Sequence, residues 1–260
     1  MTGATGNVGR PLMELLGDKA IGVSRPEVDL ARPETLEPAV EGAESLFLLF
    51  AGDLLGPDTD IASVLDVAKA GGVRRVVLLS SQGAGTRPAM VPHSRLAGFE
   101  EAVRQSSLEW TILRPSGFFS NAYAWVQPVR EHGVAAAPFA DVALPFVDPA
   151  DIAAVAAVAL QGGHEGRTYV LTGPEALTPV ERTKALSSAI GREIRFVEQS
   201  AEQAREEMSR FMPPPVVDGT LTILGSPTAE EQQVSDHVEQ VTGRKAARFA
   251  DWAARNAKAF

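Results

Sequence analysis

The opening run Met1-Thr2-Gly3-Ala4-Thr5-Gly6-Asn7-Val8-Gly9 constrains this chain more than any other stretch. Gly3, Gly6 and Gly9 recur at every third position and lead into residues 10–16, a short apolar-striped segment closed by Gly17. This is a variant of the glycine turn that carries a strand into a helix and cradles a dinucleotide. Glycine is wanted there because a side chain would obstruct the pyrophosphate and hold the helix away from the sheet. The phosphates then rest on free amides at the helix N-terminus. Such a turn follows a buried strand of about 5 residues, yet only Met1 and Thr2 precede Gly3. That strand lies in the middle of a doubly wound sheet, and without it neighbouring backbone loses its partners. The expectation is a native product that begins several residues upstream with an apolar strand; the alternative is a tolerated short one.

The remaining pattern alternates short apolar runs with helix-like segments. Residues 19–24 read as a second strand and residues 45–50 as a third, apolar on both faces, as in a parallel sheet covered by helices. A helix over residues 60–70 ends at Gly71-Gly72, where a C-cap belongs. A strand over 75–80, a helix over 96–105 and a strand over 110–114 continue the rhythm of a doubly wound fold. After Pro115, the aromatics Phe118, Phe119, Tyr123 and Trp125 cluster in an expected helix beyond the C-terminal edge of that strand, where open sheets bind ligands. Asp148-Pro149 starts an alanine-rich helix, and Thr178-Pro179-Val180-Glu181 reads as a capping box. Residues 168–172 and 194–198 read as strands, Pro213, Pro214 and Pro215 interrupt a helix over 201–211, and residues 249–260 form a last helix docked through Phe249 and Trp252. The expected fold is α/β: a doubly wound parallel (Rossmann) sheet with a small C-terminal α/β substrate lobe. Residues 1–165 form the dinucleotide-binding core, with 116–147 contributing to the substrate pocket, and residues 166–260 form the lobe, partly integrated with the core.

Composition narrows the partners. With 260 residues, 45% of them hydrophobic, the chain has apolar material for a main domain and a smaller lobe. A net charge of −9 and no basic run disfavour nucleic acid. The absence of cysteine excludes disulfides, thiolate catalysis and cysteine-ligated zinc, and the four histidines lack metal-ligand spacing. No stretch is long and apolar enough to cross a bilayer, and no signal core opens the chain, so the expectation is a soluble, cytoplasmic protein with a small-molecule substrate. Oligomerisation is left open. Ser80-Ser81-Gln82-Gly83 lacks the glycines of a nucleophile elbow, and no P-loop is present. Glu206-Glu207 and Glu230-Glu231 read as solvated helix faces.

The end of the second strand selects the cofactor. An acidic residue there accepts the adenosine ribose hydroxyls of NAD, but Ser24-Arg25 occupies the place. A guanidinium fork suits a 2′-phosphate and serine adds a hydrogen bond, so NADP(H) is favoured over NAD(H). Asp29 is a candidate acceptor for the adenine amino group, or an ordinary surface carboxylate.

The opening turn, Ser80-Ser81 closing the fourth strand, and Trp110-Thr111-Ile112-Leu113-Arg114-Pro115 with Phe118, Phe119 and Asn121 together resemble the NmrA-like atypical short-chain dehydrogenases, which include type 2 quinone oxidoreductases and isoflavone-reductase relatives. The resemblance implies that Gly3, Thr5, Gly6, Asn7 and Val8, with Gly9, line the pyrophosphate and that Arg25 meets the adenosine phosphate. It further implies Leu49 and Phe50 on the adenosine side, Ser80 on the nicotinamide side, and Pro115 to Phe118 wrapped around the nicotinamide.

Standard short-chain dehydrogenases donate a proton through a tyrosine whose pKa is lowered by a lysine four residues later. Gln127 and Gly173 stand four residues after Tyr123 and Tyr169, so that mechanism is absent. The quinone-reductase relatives place a lysine or histidine four residues before the glutamate of a Glu-Ala-hydrophobic run. Here that glutamate is Glu101, and Ala97 occupies the earlier place. His93 is the nearest titratable substitute, and Tyr123 could lend a phenolic hydrogen bond; each also reads as an ordinary loop or core residue. Phe118, Phe119, Asn121 and Trp125 are candidates for the substrate pocket, the aromatics as an apolar platform for a flat acceptor or as a plain packing stripe. Three readings stay open: an NADP(H)-dependent reductase of quinones or similar conjugated carbonyls, a redox sensor that binds NADP(H) without turnover, and an isomerase or dehydratase.

Overall fold

A computed structural model of the chain describes residues 1–56 and 59–260. Its main sheet is parallel, with β1 (Ser45–Leu49), β2 (Arg75–Leu79), β3 (Glu109–Pro115) and β5 (Arg167–Leu171) in the order β1-β2-β3-β5. Phe47 pairs with Val77, and Val77 with Thr111, so the strands run level from edge to edge. Side chains alternate across each strand. Leu46, Leu48, Val76, Leu78 and Ile112 meet α3 (Ile61–Ala70) and α5 (His93–Gln105) on one face. Phe47, Val77, Leu113 and Leu171 meet α1 (Gly9–Leu16), α7 (Pro149–Ala159) and α11 (His237–Thr242) on the other. Both faces are buried, hence the unbroken apolar run of β1. The short helices α2 (Glu37–Val40) and α4 (Gln82–Thr86) fill the crossings.

Met1 and Thr2 lie beside β1, between that strand and Val23. The Thr2 amide donates to the Phe47 carbonyl at 3.0 Å, its hydroxyl accepts from the Leu49 amide at 2.9 Å, and the Val23 amide donates to the Met1 carbonyl at 2.9 Å. The chain thus leaves Thr2 for Val23 on one side and returns to β1 on the other, which places Gly3 at a topological switch point, where open sheets bind ligands. The strand expected over residues 19–24 is a single bridge from Val23 to Thr2, with the Met1 amino group donating to the Ile21 carbonyl at 2.6 Å beside it. A cavity of about 840 Å³ lies there, between Ile21, Val40, Leu46 and Leu160.

The C-terminal half builds a second layer. β4 (Val134–Ala137) and β6 (Arg195–Glu198) pair in parallel. Around them α6 (Val126–His132), α8 (Pro179–Ile190) and α12 (Phe249–Asn256) enclose Phe119, Trp125, Leu186, Phe249 and Trp252. Asp148 caps α7 and the Thr178–Glu181 capping box opens α8, as their sequences predict. The aromatic segment expected as a helix is a 3-10 turn over Phe119–Trp125. After α9 (Ala201–Met208), the three prolines initiate a helix: Pro213 is the cap residue and Pro214-Pro215 open α10 (Pro214–Gly225). Proline costs nothing at positions whose N–H has no helical partner. A boundary at residue 165 falls before β5, which pairs with β3, and α11 comes back to pack on α7 through Val238. Lobe and core are interleaved beyond that boundary.

Candidate functional site

The glycine turn is built as its chemistry requires. Gly3 has φ +68°, a conformation that favours glycine, and a Cβ on Gly9 would stand 2.0 Å from the Gly3 carbonyl oxygen. That contact lets α1 start directly against the turn. The Gly6 amide is used within the turn, donating to Gly3 at 3.0 Å. The amides of Thr5, Asn7, Val8 and Gly9 donate to no acceptor among the described residues. Unpaired N–H groups converging on a helix start form an anion cradle, so the residues fit a bound pyrophosphate. Asn7 ties the turn to the opposite wall, its Nδ2 donating to Ser120 Oγ at 3.2 Å.

At the adenosine end, Arg25 is exposed and its Nη1 donates to Asp53 at 2.8 Å, in the loop after β1. The backbone of Asp53 and the Arg25 guanidinium hold the Asp53 carboxyl below the usual carboxylate range. Ser24 sits beside Arg25 at the end of the same segment. Asp29 accepts from the Ala31 amide and pairs with Arg32, so its carboxylate is largely committed to its own loop. Leu49 touches Gly3 and stands over the turn. Phe50 is buried against Phe99, ring centroids 4.6 Å apart.

At the other end of the turn a cavity of about 350 Å³ opens. Pro115, Ser116, Gly117, Phe118 and Asn121 form one wall, Gln82, Gly83 and His93 another, Leu144, Pro145 and Phe146 a third, and Thr220, Ile223, Leu224 and Glu231 the roof. His93 packs its ring on Gly83, where even a Cβ would lie 2.5 Å from it. Its Nδ1 is cut off from solvent without a partner. Burial, aided by Arg87 and opposed by the Glu231 carboxylate, pushes His93 below its usual value, so the ring is neutral at pH 7.

The sheet edge beneath is fixed by Glu100, almost wholly buried. Its carboxylate accepts from Ser80 Oγ at 2.6 Å, from Arg114 at 2.9 and 2.6 Å, and from Arg104 at 2.8 Å. Burial opposes its ionisation, but Arg114 and Ser80 prevail and hold its pKa down. The network joins the ends of β2 and β3 to α5 and so positions both walls of the cavity.

The profile of the NAD(P)H-binding family matches residues 16–162, more than half of the chain. The chain belongs to this NAD(P)H-binding family. It is 37% identical to the (4-alkanoyl-5-oxo-2,5-dihydrofuran-3-yl)methyl phosphate reductase of Streptomyces griseus, across all of this chain and 98% of that protein. It is 32% identical to the NAD(P)H azoreductase of Xenophilus azovorans over the same shares. The Escherichia coli NADPH-dependent quinone oxidoreductase, solved with NADPH, shares the fold with a TM-score of 0.81 at 22% identity, covering 98% of each chain. The chain is accordingly an NAD(P)H-dependent reductase with the doubly wound fold of the NmrA-like atypical dehydrogenases; the sensor reading is not favoured.

Within this reductase, the sequence candidates divide by where their side chains go. Pro115, Phe118, Asn121 and His93 meet at the cavity. Tyr123 does not: its hydroxyl donates to Asn256 Oδ1 at 2.6 Å and its ring packs on Trp252 and Phe260. Phe119 and Trp125 are core residues of the lobe, Phe119 edge-on to Phe249 and Trp125 donating Nε1–H to the Ala136 carbonyl. Phe118 and Phe146 are the phenylalanines that line the cavity. The Ser80 hydroxyl, expected on the nicotinamide side, donates to the Glu100 carboxylate.

Glu231, read from sequence as a solvated helix face, is 2% exposed and lies outside any helix. It accepts from Arg87 Nε and Nη2 at 2.7 and 2.8 Å, from Thr86 Oγ1 at 2.7 Å and from the Thr228 amide at 2.8 Å. Burial resists its charge, but Arg87, Thr228 and Thr86 hold its carboxyl below the usual range. This pair clamps the roof to α4. Sequence inspection missed Gln82, Phe146 and the residues of α10 as well. The signal for Glu231 is the Thr-x-x-Glu spacing of residues 228–231, the pattern of a helix start with no helix behind it.

Arg182, also missed, lies in the first turn of α8, 8% exposed. Its guanidinium stacks over Phe146 at 4.2 Å from the ring centroid and lies 5.6 Å from Trp125. No carboxylate pairs with it among the described residues, and burial pushes its pKa down to about 10. Cation–π contacts return about 2 kcal/mol when desolvated, less than the several kcal/mol, as an order of magnitude, that burying an ion costs.

Proposed function

We propose that this reductase uses NADPH in preference to NADH and reduces a flat, conjugated acceptor, a quinone or an α,β-unsaturated carbonyl, by direct hydride transfer. The observation that carries the reading is the position of the cavity. It has apolar walls from Phe118, Phe146, Ile223 and Leu224, with His93, Asn121 and Glu231 among its polar groups, and the nicotinamide of a dinucleotide held by the amide cradle would face it. Bound NADPH supplies the hydride; the protein supplies orientation and excludes water. Phe118 and Phe146 bound the space for a planar acceptor, and Asn121 offers an amide to its oxygen. His93, kept neutral by burial, offers an N–H hydrogen bond rather than an imidazolium proton.

Such a weak donor suits an acceptor whose reduced oxyanion takes its proton from water. It suits a simple ketone poorly, because there general-acid help is worth about a hundredfold or more. The Streptomyces and Xenophilus relatives support this class: an unsaturated lactone conjugated to an alkanoyl ketone and an azo group are both extended π acceptors. Arg25 is the group that would take the 2′-phosphate, exchanging Asp53 for a dianion. Multiple-turnover oxidation of NADPH with 1,4-naphthoquinone tests the reading. Acceptor-dependent oxidation is expected, and saturable NADPH binding without oxidation above background would remove the reductase assignment.

A further inference from the structure

The helix that roofs the acceptor cavity, α10, meets the wall below it with no side chain between. Thr220, Ile223 and Leu224 line the cavity, and Gly219 stands one turn before Ile223 on the same face of the helix. Beneath Gly219 is the Val91 carbonyl: a Cβ on Gly219 would lie 2.6 Å from its oxygen and 3.3 Å from the Met90 sulfur. Val91 leads directly into Pro92 and His93, which line the cavity, so this contact is the seam between roof and wall. Glycine in a helix interior costs about 1 kcal/mol relative to alanine, and here it lets helix backbone rest on the turn before α5. The far end of α10 is held in the same way. A Cβ on Gly225 would lie 2.5 Å from the Phe139 ring. Phe139 reaches it from a backbone at φ +58°, a left-handed conformation that costs a residue with a side chain about 1–2 kcal/mol. The Ala140 amide, donating to Glu198 Oε1 at 3.0 Å, and the Phe139 carbonyl, accepting from the Val142 amide at 3.1 Å, fix that turn. The other side of α10, Val217 and Leu221, packs on α9 through Ala204 in a small cluster of its own.

We propose that Gly219 and Gly225 determine the acceptor specificity of the cavity by fixing the height of its roof, so that it takes a flat ring and excludes one carrying a group that stands out of the ring plane. The inference deepens the reductase reading and rests on it. A helix seated on a carbonyl oxygen can come no lower. Any side chain at position 219 has backbone beneath it, and packed interiors do not compress, so an added methyl forces α10 and the Pro92–His93 wall apart. That movement opens the cavity at the seam beside His93. The Phe139 ring on Gly225 sets the same height at the other end of the helix. The ordinary alternative is that the two glycines serve helix packing alone. Substitution would then lower stability and affect every acceptor alike.

The test pairs two acceptors, 2-methyl-1,4-benzoquinone and 2-tert-butyl-1,4-benzoquinone, with the full chain and with Gly219→Ala. Both quinones carry one alkyl group on the same ring, and the tert-butyl group projects well above and below its plane. For wild type, kcat/KM is expected to favour the methyl compound about tenfold or more, the scale on which an apolar pocket discriminates added methylenes. In folded G219A that preference should shrink to about threefold or less, with the Kd for NADPH unchanged. Equal kcat/KM for the two quinones in wild type, or a preference that persists in folded G219A, overturns the proposal. If G219A does not fold, Phe139→Gly takes its place: it permits the left-handed turn, removes the ring from Gly225, and is held to the same two outcomes. If wild type reduces neither quinone, the reductase reading fails separately, and calorimetry on the NADP+ complex still decides the height of the roof. Wild type should then bind 2-methylhydroquinone about tenfold more tightly than 2-tert-butylhydroquinone, a difference that shrinks in the variant. Equal affinities in wild type, or a ratio the variant leaves unaltered, overturn the proposal.

Discussion

The two ends of the site are made of different material. The nucleotide end is backbone: a positive φ at Gly3, a 2.0 Å limit at Gly9, and four amides left without partners by the turn. The acceptor end is side chains drawn from α4, α5, the 3-10 turn after β3, the stretch before α7, and α10, and it is closed by one ion pair, Arg87–Glu231, between residues 144 positions apart. A backbone site tolerates no substitution at its few fixed points and is indifferent elsewhere. An assembled site can change nearly any single wall and keep its shape, which is how one scaffold serves relatives with different acceptors.

The sharpest way to break this contrast is Gly9→Ala. The added carbon has only backbone to displace, so NADPH affinity should fall by about a hundredfold or more, the cost of about 3 kcal/mol of lost phosphate hydrogen bonds. Fluorescence titration of NADPH checks it, and unchanged affinity would mean that the helix start does not meet the phosphates. At the other end, Glu231→Ala strips the roof clamp and leaves Arg87 half-buried and unpaired. A stability loss of about 3 kcal/mol in urea is expected, with the KM for acceptor rising more than the Kd for NADPH. Equal effects on both would show that the two ends are not independent.

Arg25→Ala should weaken NADPH about tenfold while leaving NADH nearly unaffected, since only the 2′-phosphate loses its partner. Equal losses would contradict that contact. The smallest effect is on pH. The folded-state pKa of His93 lies below its unfolded value near 6.5, so the unfolded chain takes up the proton first. Its contribution is complete above about pH 6.5 and is lost as the pH falls below that value. Glu231, also lowered, acts in the same direction at more acid pH. Urea midpoints against pH should decline on the acid side, and His93→Gln should flatten the limb nearest pH 6.

This division also explains what could be read in advance. The apolar strands, the caps at Asp148 and Thr178 and the glycine turn are properties of local pattern: a buried run, a proline after a capping residue, glycines three apart. Each is written within a dozen residues. The acceptor end is not. Tyr123 and Asn121 share one turn, yet one points to Asn256 and the other to the cavity, a difference decided by α12, which packs there from the far end of the chain. Glu231 looked like half of an exposed acidic pair because its four donors lie elsewhere, three of them on Thr86 and Arg87. Arg182 gives no sign in a sequence of being alone, since what distinguishes it is the carboxylate that is missing around it. The prolines at 213–215 were legible as a boundary but not as its direction, because proline ends one helix and opens the next by the same chemistry.

The clamp between Arg87 and Glu231 sets an order of assembly. A ribosome delivers the floor of the acceptor chamber, with His93 and Phe118, long before the α10 segment and Glu231 that roof it. Hydride donor and bulk solvent would then share an open bench, and only the arrival of α10 and the loop behind it turns that bench into a closed vessel.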